Sequence, residues 1–131
     1  MSFNEASFQG LFSRWLKLNA EECAAYELKI TKTKTLPFSR IAGHQITSLL
    51  KAKHGILAHK ISDLAVGSFL PFDCFTLVGS AAYLVVMFYK PRMQKVCYAI
   101  DIDDLIKLKD TPGKRSISEE DARNLGITIF L

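Results

Sequence analysis

Tyr26-Glu27-Leu28-Lys29-Ile30-Thr31 is followed, after a short basic stretch, by Phe38-Ser39-Arg40-Ile41-Ala42-Gly43-His44-Gln45, and these two blocks decide how the chain is read. In an extended segment, successive side chains point to opposite faces. Tyr26, Leu28 and Ile30 therefore form one apolar layer, and Glu27, Lys29 and Thr31 share the other face. The second block reads as the start of a helix that brings Gln45 close to Glu27 and Lys29. A carboxylate and an ammonium on one face suit a divalent metal and the charge of a phosphate under attack. The plainer reading is a half-exposed strand whose outward residues happen to be charged.

Working outward, residues 23–31 read as one strand. Residues 6–18 read as an amphipathic helix, because Phe8, Leu11, Phe12, Trp15, Leu16 and Leu18 recur at helical spacing, and Asn19 ends it. Residues 32–37 form a polar, basic connector closed by Pro37. A second helix is expected over 39–53, with Ser39 as its cap, Ile41, Ile46, Leu49 and Leu50 as its apolar face, and Gly55 as its stop. Residues 56–62 read as a short strand and 63–71 as a loop. Strands over 73–78 and 82–89 meet at Gly79-Ser80, which reads as a hairpin. Pro91 starts a turn, 95–101 read as a strand, 102–109 as a short helix and 110–115 as a loop. Ser118 and Asp121 fit a capping box for a last helix over 119–125, and 127–131 close with a strand. The fold class expected is α/β: one domain over 1–131, with a mixed central β-sheet flanked by helices.

With 131 residues, 49% of them apolar and 23% charged, the chain is globular rather than disordered. The net charge of +4 is unevenly placed. Residues 1–60 carry nine Lys/Arg against four Glu, or +5, whereas 101–131 carry five Lys/Arg against seven Asp/Glu, or −2. A basic front half suits a polyanionic partner such as nucleic acid. Cys23, Cys74 and Cys97 are few, odd in number and widely spaced, so they read as small buried hydrophobes. That usage, with an N-terminus lacking the pattern of a signal peptide, leads to a cytoplasmic expectation. The longest apolar run, Phe75 to Tyr89, is broken by Gly79-Ser80 and is too short to span a bilayer, so no membrane partner is expected.

One Glu cannot hold Mg²⁺ against water, so Glu27 needs a second carboxylate. The candidates are Asp63, Asp73, Glu21 and Glu22. Asp73 follows Pro71-Phe72 and opens an apolar strand, where a sheet-borne site would want it, and Asp63 ends the strand before the loop. Either Asp is equally readable as a turn or capping residue. Asp101, Asp103 and Asp104 precede a helix and read as partners of its N-terminal dipole. Gln45 is placed to position an attacking water or touch the phosphate, with His44 beside it; the alternative is an exposed polar pair. His54 and His59 read as solvated or core histidines rather than metal ligands. Lys32, Lys34 and Arg40 follow the Glu-Lys strand and would track a duplex backbone, and Lys114 and Arg115 form a second phosphate contact. Each has the alternative of an ordinary solvated charge.

Residues 26–45, Tyr-Glu-Leu-Lys-Ile-Thr-Lys-Thr-Lys-Thr-Leu-Pro-Phe-Ser-Arg-Ile-x-x-His-Gln, resemble the core of the RecU-type Holliday junction resolvases, within the PD-(D/E)xK nuclease superfamily. The likeness extends loosely to Lys114-Arg115-Ser116-Ile117. It implies a restriction-endonuclease-like fold and a Mg²⁺-dependent DNA endonuclease, with Mn²⁺ as a possible substitute, acting on branched or four-way DNA as a two-fold homodimer. Carried over, Glu27 is the metal carboxylate, Lys29 the catalytic lysine and Gln45 the helper on the helix. The family's Asp lies upstream of the Glu-x-Lys strand, whereas here no Asp precedes Asp63, and Pro71-Phe72-Asp73 stands as a displaced copy. The acidic residue usual on the first helix is also missing from the Phe8-Gln9-Gly10 region. Two outcomes stay open: a rearranged site in which Glu27 and Asp73, with Asp63 as a further ligand, hold the metal, or a non-catalytic DNA-binding module on a nuclease fold. A protein-interaction subunit with an incidental basic face is a third class. A second expectation of self-association comes from the Phe75–Tyr89 region, whose strands are apolar on both faces and must be covered on both sides, by a second subunit or by the chain's own helices.

Overall fold

A computed structural model describes residues 3–19, 24–60 and 74–131. Four strands make the central sheet: β1 (Ala24–Thr31), β5 (Ala81–Phe88), β6 (Val96–Asp101) and β8 (Ile127–Phe130), in the order β1-β5-β6-β8. The sheet is mixed. β1 runs parallel to β5, with Glu27 beside Leu84 and Lys29 beside Val86, and β5–β6 and β6–β8 are antiparallel.

β5 explains the layering. Its side chains alternate between two cores and are almost all buried. Leu84, Val86 and Phe88 point into one core, together with Tyr98 and Ile100 of β6. Val85 and Met87 point into the other, with Cys97 and Ala99 of β6. Helix α1 (Glu5–Asn19) covers the second core with Phe8 and Phe12, at 0% and 2% exposure. Helices α2 (Gly43–His54), α3 (Ile102–Lys109) and α4 (Glu119–Leu125) cover the first with Leu49 and Ala52, Ile102 and Leu105, and Ala122. The chain's own helices thus supply both covers that a doubly apolar strand requires.

Several elements follow the local chemistry closely. Asn19 ends α1 by donating its side-chain amide to the Trp15 carbonyl at 2.9 Å. Asp101 caps α3 by accepting from the Asp103 N–H at 2.9 Å. Ser118 and Asp121 form the expected reciprocal capping box of α4, both bonds at 3.1 Å. Among the described residues, no helix is long and apolar enough to cross a membrane.

The hairpin expected at Gly79-Ser80 is not formed. Strand β4 (Cys74–Val78) pairs with β3 (Ile56–Lys60) as a separate two-stranded sheet, and the next strand, β5, enters the central sheet. A tight two-residue hairpin of type I′ needs two residues at positive φ, whereas only Gly79 adopts one here, at +60°. The Ser80 N–H instead bonds the Ala52 carbonyl of α2 at 2.8 Å, turning the chain into the core.

Ser39 is not the cap of the second helix. Phe38–Arg40 form a single 3₁₀ turn, Ile41 is extended (φ −98°, ψ 111°), and α2 begins at Gly43 with Ala42 as its cap residue. Ile41 is 5% exposed and packs into the first core from this extended position. The basic connector and the late loop also hold an unforeseen ribbon, in which β2 (Thr35–Pro37) pairs antiparallel with β7 (Ser116–Ser118). Leu36 and Ile117 anchor that ribbon in the first core, both at 0% exposure.

Two glycines give opposite expectations. A Cβ on Gly126, between α4 and β8, would meet the backbone oxygens of Ala122 at 2.8 Å and Ala99 at 2.9 Å. Gly126→Ala is expected to cost about 1–3 kcal/mol through that overpacking. Gly10, inside α1, has open space around it. Gly10→Ala is expected to add about 0.8–1 kcal/mol through helix propensity. Denaturant unfolding of both variants checks the pair, and equal effects would contradict the packing described.

Candidate functional site

The site grows from β1, which forms one edge of the central sheet. Tyr26, Leu28 and Ile30 pack on the α1 side, as the alternation predicts. Glu27 is only partly exposed, and its side-chain oxygen Oε1 accepts a hydrogen bond from Gln45 Nε2 at 2.6 Å. The other end of that amide is also engaged: Gln45 Oε1 accepts the Ala42 N–H at 3.0 Å. Gln45 is the third residue of α2, so it forms the Gln half of a capping box while holding Glu27. Its rotamer is thereby fixed, and so is the direction of one Glu27 oxygen.

Burial pushes the Glu27 carboxyl above its ordinary value, and the nearby Glu5 carboxylate adds to the rise. Lys29, His44 and the Gln45 hydrogen bond act the other way without cancelling it. Glu5 opens α1 and lines a small cleft with Gln9, Tyr26, Glu27 and Leu28. The first helix therefore carries an acidic residue in this cleft, four positions before Gln9. Its signal in the sequence was an acidic residue at the helix start, indistinguishable there from an ordinary partner of the helix dipole.

Lys29 lies on the same strand, is partly buried, and has no ion pair among the described residues. Arg40 closes the outer edge of β1 beside it, donating from Nη2 to the Ile30 carbonyl at 2.9 Å. Lys32 and Lys34 are exposed on the turn after β1, where Thr31 is buried and Thr33 Oγ1 donates to the Thr35 carbonyl at 2.7 Å and lies 2.9 Å from Thr31 Oγ1. Both lysines line a cleft with Tyr89, Lys90, Ser118 and Glu119. Arg115 and Lys114 line a second cleft with Phe38, Ser39 and Lys109, and Lys114 also pairs with Asp121 at 2.6 Å. Lys109 belongs to that basic cleft although its place at the end of a helix gave no sign of it.

Glu27, Gln45 and His44 are thus brought together with Lys29 on the same strand, whereas Lys114 and Arg115 belong to a separate cleft. Asp63 and Asp73, the expected metal partners of Glu27, lie outside the described residues, as do Glu21 and Glu22. Asp101 and Asp103 do serve the start of α3, and they also bind Lys53, which lies 2.7 Å from each. Those contacts raise the affinity of Lys53 for its proton. His54 pairs with Asp103 at 2.8 Å. Cys97 is a buried free thiol, pushed up to about 12 by burial.

Two carboxylates converge on the cleft. Carboxylate oxygens are the hard donors that Mg²⁺ or Mn²⁺ takes, so Glu5 and Glu27 fit such an ion in kind. Among the described residues, no group of three or more His, Cys, Asp or Glu is placed to hold a metal. Compared with known proteins, the chain matches no family model and no curated protein.

The raised Glu27 pKa has a stability consequence with a definite sign. The folded state holds this proton at higher pH than the unfolded chain does. The Glu27 contribution to stability therefore falls as pH rises from the ordinary carboxylate value through the raised one. Glu27→Gln keeps an oxygen for the Gln45 amide and removes the desolvated charge. Its melting temperature at neutral pH is expected to rise by about 2 °C, with a smaller gain at pH 4. A lower melting temperature at neutral pH would show the ionised carboxylate to be a net stabiliser.

Proposed function

We propose that this chain is a metal-dependent DNA endonuclease of the Holliday junction resolvase or repair type, hydrolysing phosphodiester bonds in branched or structured DNA. One observation carries the reading: a partly buried carboxylate, Glu27, is held by Gln45 on an edge strand of the central sheet, shares a cleft with Glu5, and precedes Lys29 on the same face. The resemblance of residues 26–45 to the RecU-type core supports it, and a restriction-endonuclease-like fold goes with it. So do a cytoplasmic location and the two-fold homodimer.

A bound Mg²⁺ or Mn²⁺ would supply an activated water and charge neutralisation at the phosphate. Glu27 and Glu5 would hold it, with Asp73 and Asp63 as the further ligands expected from the sequence. The residues themselves divide the remaining work. Gln45 fixes one Glu27 oxygen, and Glu27 lines the cleft. Lys29, which has no ion pair among the described residues, offers its ammonium to the phosphate charge. Lys32, Lys34, Arg40 and His44, with Lys114 and Arg115 in the second cleft, neutralise the DNA backbone.

Glu27→Ala and Lys29→Ala are each expected to abolish cleavage of labelled duplex, single-strand and four-way DNA in Mg²⁺ or Mn²⁺, while binding at low salt stays within about twofold. Salt-sensitive binding by the wild type without any cutting would establish the non-catalytic DNA-binding module instead. No DNA binding at low salt would favour the protein-interaction class.

Asp73→Asn is expected to remove metal-dependent cleavage and weaken Mg²⁺ binding, and Asp63→Asn to do less, because the sequence expects Asp73 to open a strand and Asp63 to begin a loop, and a strand-held carboxylate is the more rigid. Glu5→Gln separates the two carboxylate sources. If it costs as much activity as Asp73→Asn, the first helix shares the metal. If Asp73→Asn cleaves normally, Asp73 is not a ligand.

A further inference from the structure

We infer that β8 is a self-pairing edge, through which two copies of this chain join into one continuous eight-stranded sheet about a two-fold axis at Ile129. The inference rests on the β8 edge alone and holds whether or not the chain cuts DNA.

β8 ends the central sheet, and among the described residues nothing pairs with its outer side. Natural edge strands are protected by charge, proline or a bulge. The strand Ile127-Thr128-Ile129-Phe130 has none of the first two, and its register with β6 is unbroken. Ile127 and Phe130 are 59% and 61% exposed, and the nearby Leu125 is 40% exposed.

The hydrogen-bond parity of this edge is fixed. The Leu131 N–H donates to the Lys95 carbonyl at 2.9 Å. In an antiparallel ladder, bonded and non-bonded pairs alternate. Ile129 and Ile127 therefore also turn their backbone groups toward β6, opposite Cys97 and Ala99. Thr128 and Phe130 turn theirs outward. The open edge thus offers two N–H groups and two carbonyls.

A second β8 matches that set. Directly opposed residues of an antiparallel pair project to the same face of the sheet. A strand facing its own copy must then place the two-fold axis on a residue, not between residues. With the axis on Ile129, Thr128 meets the partner's Phe130 and exchanges both backbone bonds with it. The symmetric pair does the same, so all four outward groups on each strand are satisfied. With the axis on Thr128, Phe130 would meet Gly126, whose N–H is already bonded to the Ala122 carbonyl at 2.8 Å. The Ile129 axis is therefore the matched register.

Side chains agree with the backbone. Phe130 lies beside the partner's Thr128, an aromatic against a β-branched residue, and Ile127 lies beside the partner's Leu131. No charged residue occurs in 126–131, so no like charges oppose each other across the axis. A parallel pairing of the two β8 edges needs a two-fold axis along the strands, which turns one sheet over and sets like-numbered residues opposite each other with their side chains on opposite faces. The antiparallel pairing closes. It places the two β1 strands at opposite ends of the joined sheet, about 34 Å apart at ~4.8 Å per strand spacing.

The test is sedimentation velocity on the 131-residue chain from low to high micromolar concentration, with amide hydrogen exchange at both ends of that range. A monomer–dimer equilibrium is expected. The Thr128 and Phe130 amides should gain protection only as dimer forms, whereas the Ile129 and Leu131 amides should be protected throughout. Phe130→Lys, at an exposed position, and Thr128→Pro, which removes an outward donor but no β6 bond, should each weaken the dimer at least tenfold. Phe130→Lys should do so with the melting temperature of the monomer unchanged. A chain that stays monomeric, larger oligomers, a dimer unaffected by Phe130→Lys, or a dimer in which the Thr128 and Phe130 amides exchange freely would each overturn the inference.

Discussion

A strand that is apolar on both faces has to be sandwiched, and β5 is such a strand. Its alternating residues fill two separate cores, so layers of helix must lie on both sides of the sheet. The cover from α1 requires Phe8 and Phe12, and the cover from α2, α3 and α4 requires Leu49, Ile102, Leu105 and Ala122. Once β5 is buried, its parallel pairing with β1 sets Glu27 beside Leu84, at the border between water and the buried interior. The position of the candidate site is therefore a consequence of packing, not of the charged residues themselves.

The electrostatics at Glu27 follow from that position. A carboxylate on a strand beside a buried neighbour loses water, which explains why burial is the largest influence on its proton affinity. The Gln45 amide, Lys29 and His44 offset part of the loss. The first turn of α2 thus has two roles in one residue. Gln45 satisfies the Ala42 N–H at the helix start and orients the carboxylate across the gap to β1. A helix cap and a site contact share one side chain, so the geometry of the site is tied to the start of the helix.

The basic residues divide along the same architecture. Hydroxyls of Thr31 and Thr33 bond within the connector after β1, where Lys32 and Lys34 are exposed. The β2–β7 ribbon, pinned by Leu36 and Ile117, gathers Phe38, Lys109, Lys114 and Arg115 into another cleft. These surfaces come from distant parts of the chain, and their juxtaposition depends on three-residue strands too short to signal themselves in the sequence.

Local chemistry determined much of this protein. Local pattern marked α1, β1, β5, β6, α3 and α4 almost to their ends, through helical spacing in α1, alternation in β1, an apolar run in β5 and the capping box of α4. The Ser118–Asp121 box and the acidic start of α3 were legible because both are contacts between near neighbours, although the sequence did not single out Asp101 as the cap. The Glu27–Gln45 proximity was also legible, from the strand and the helix that follow one another. Long-range pairing decided the rest. Gly79-Ser80 carries a turn signal, but the partner of β4 is β3 and the partners of β5 are β1 and β6, choices set by burying β5 on both faces. Ser39 carries a cap signal, but Ile41 is extended and buried, and α2 starts at Gly43 with Ala42 as its cap residue. Glu5 joins the site only because α1 lies across β1, and nothing in its immediate neighbours distinguishes that from an ordinary helix-start carboxylate. Sequence fixes what each segment prefers; which segments meet is decided by the whole core at once, since the free energy of burial depends on every partner being in place.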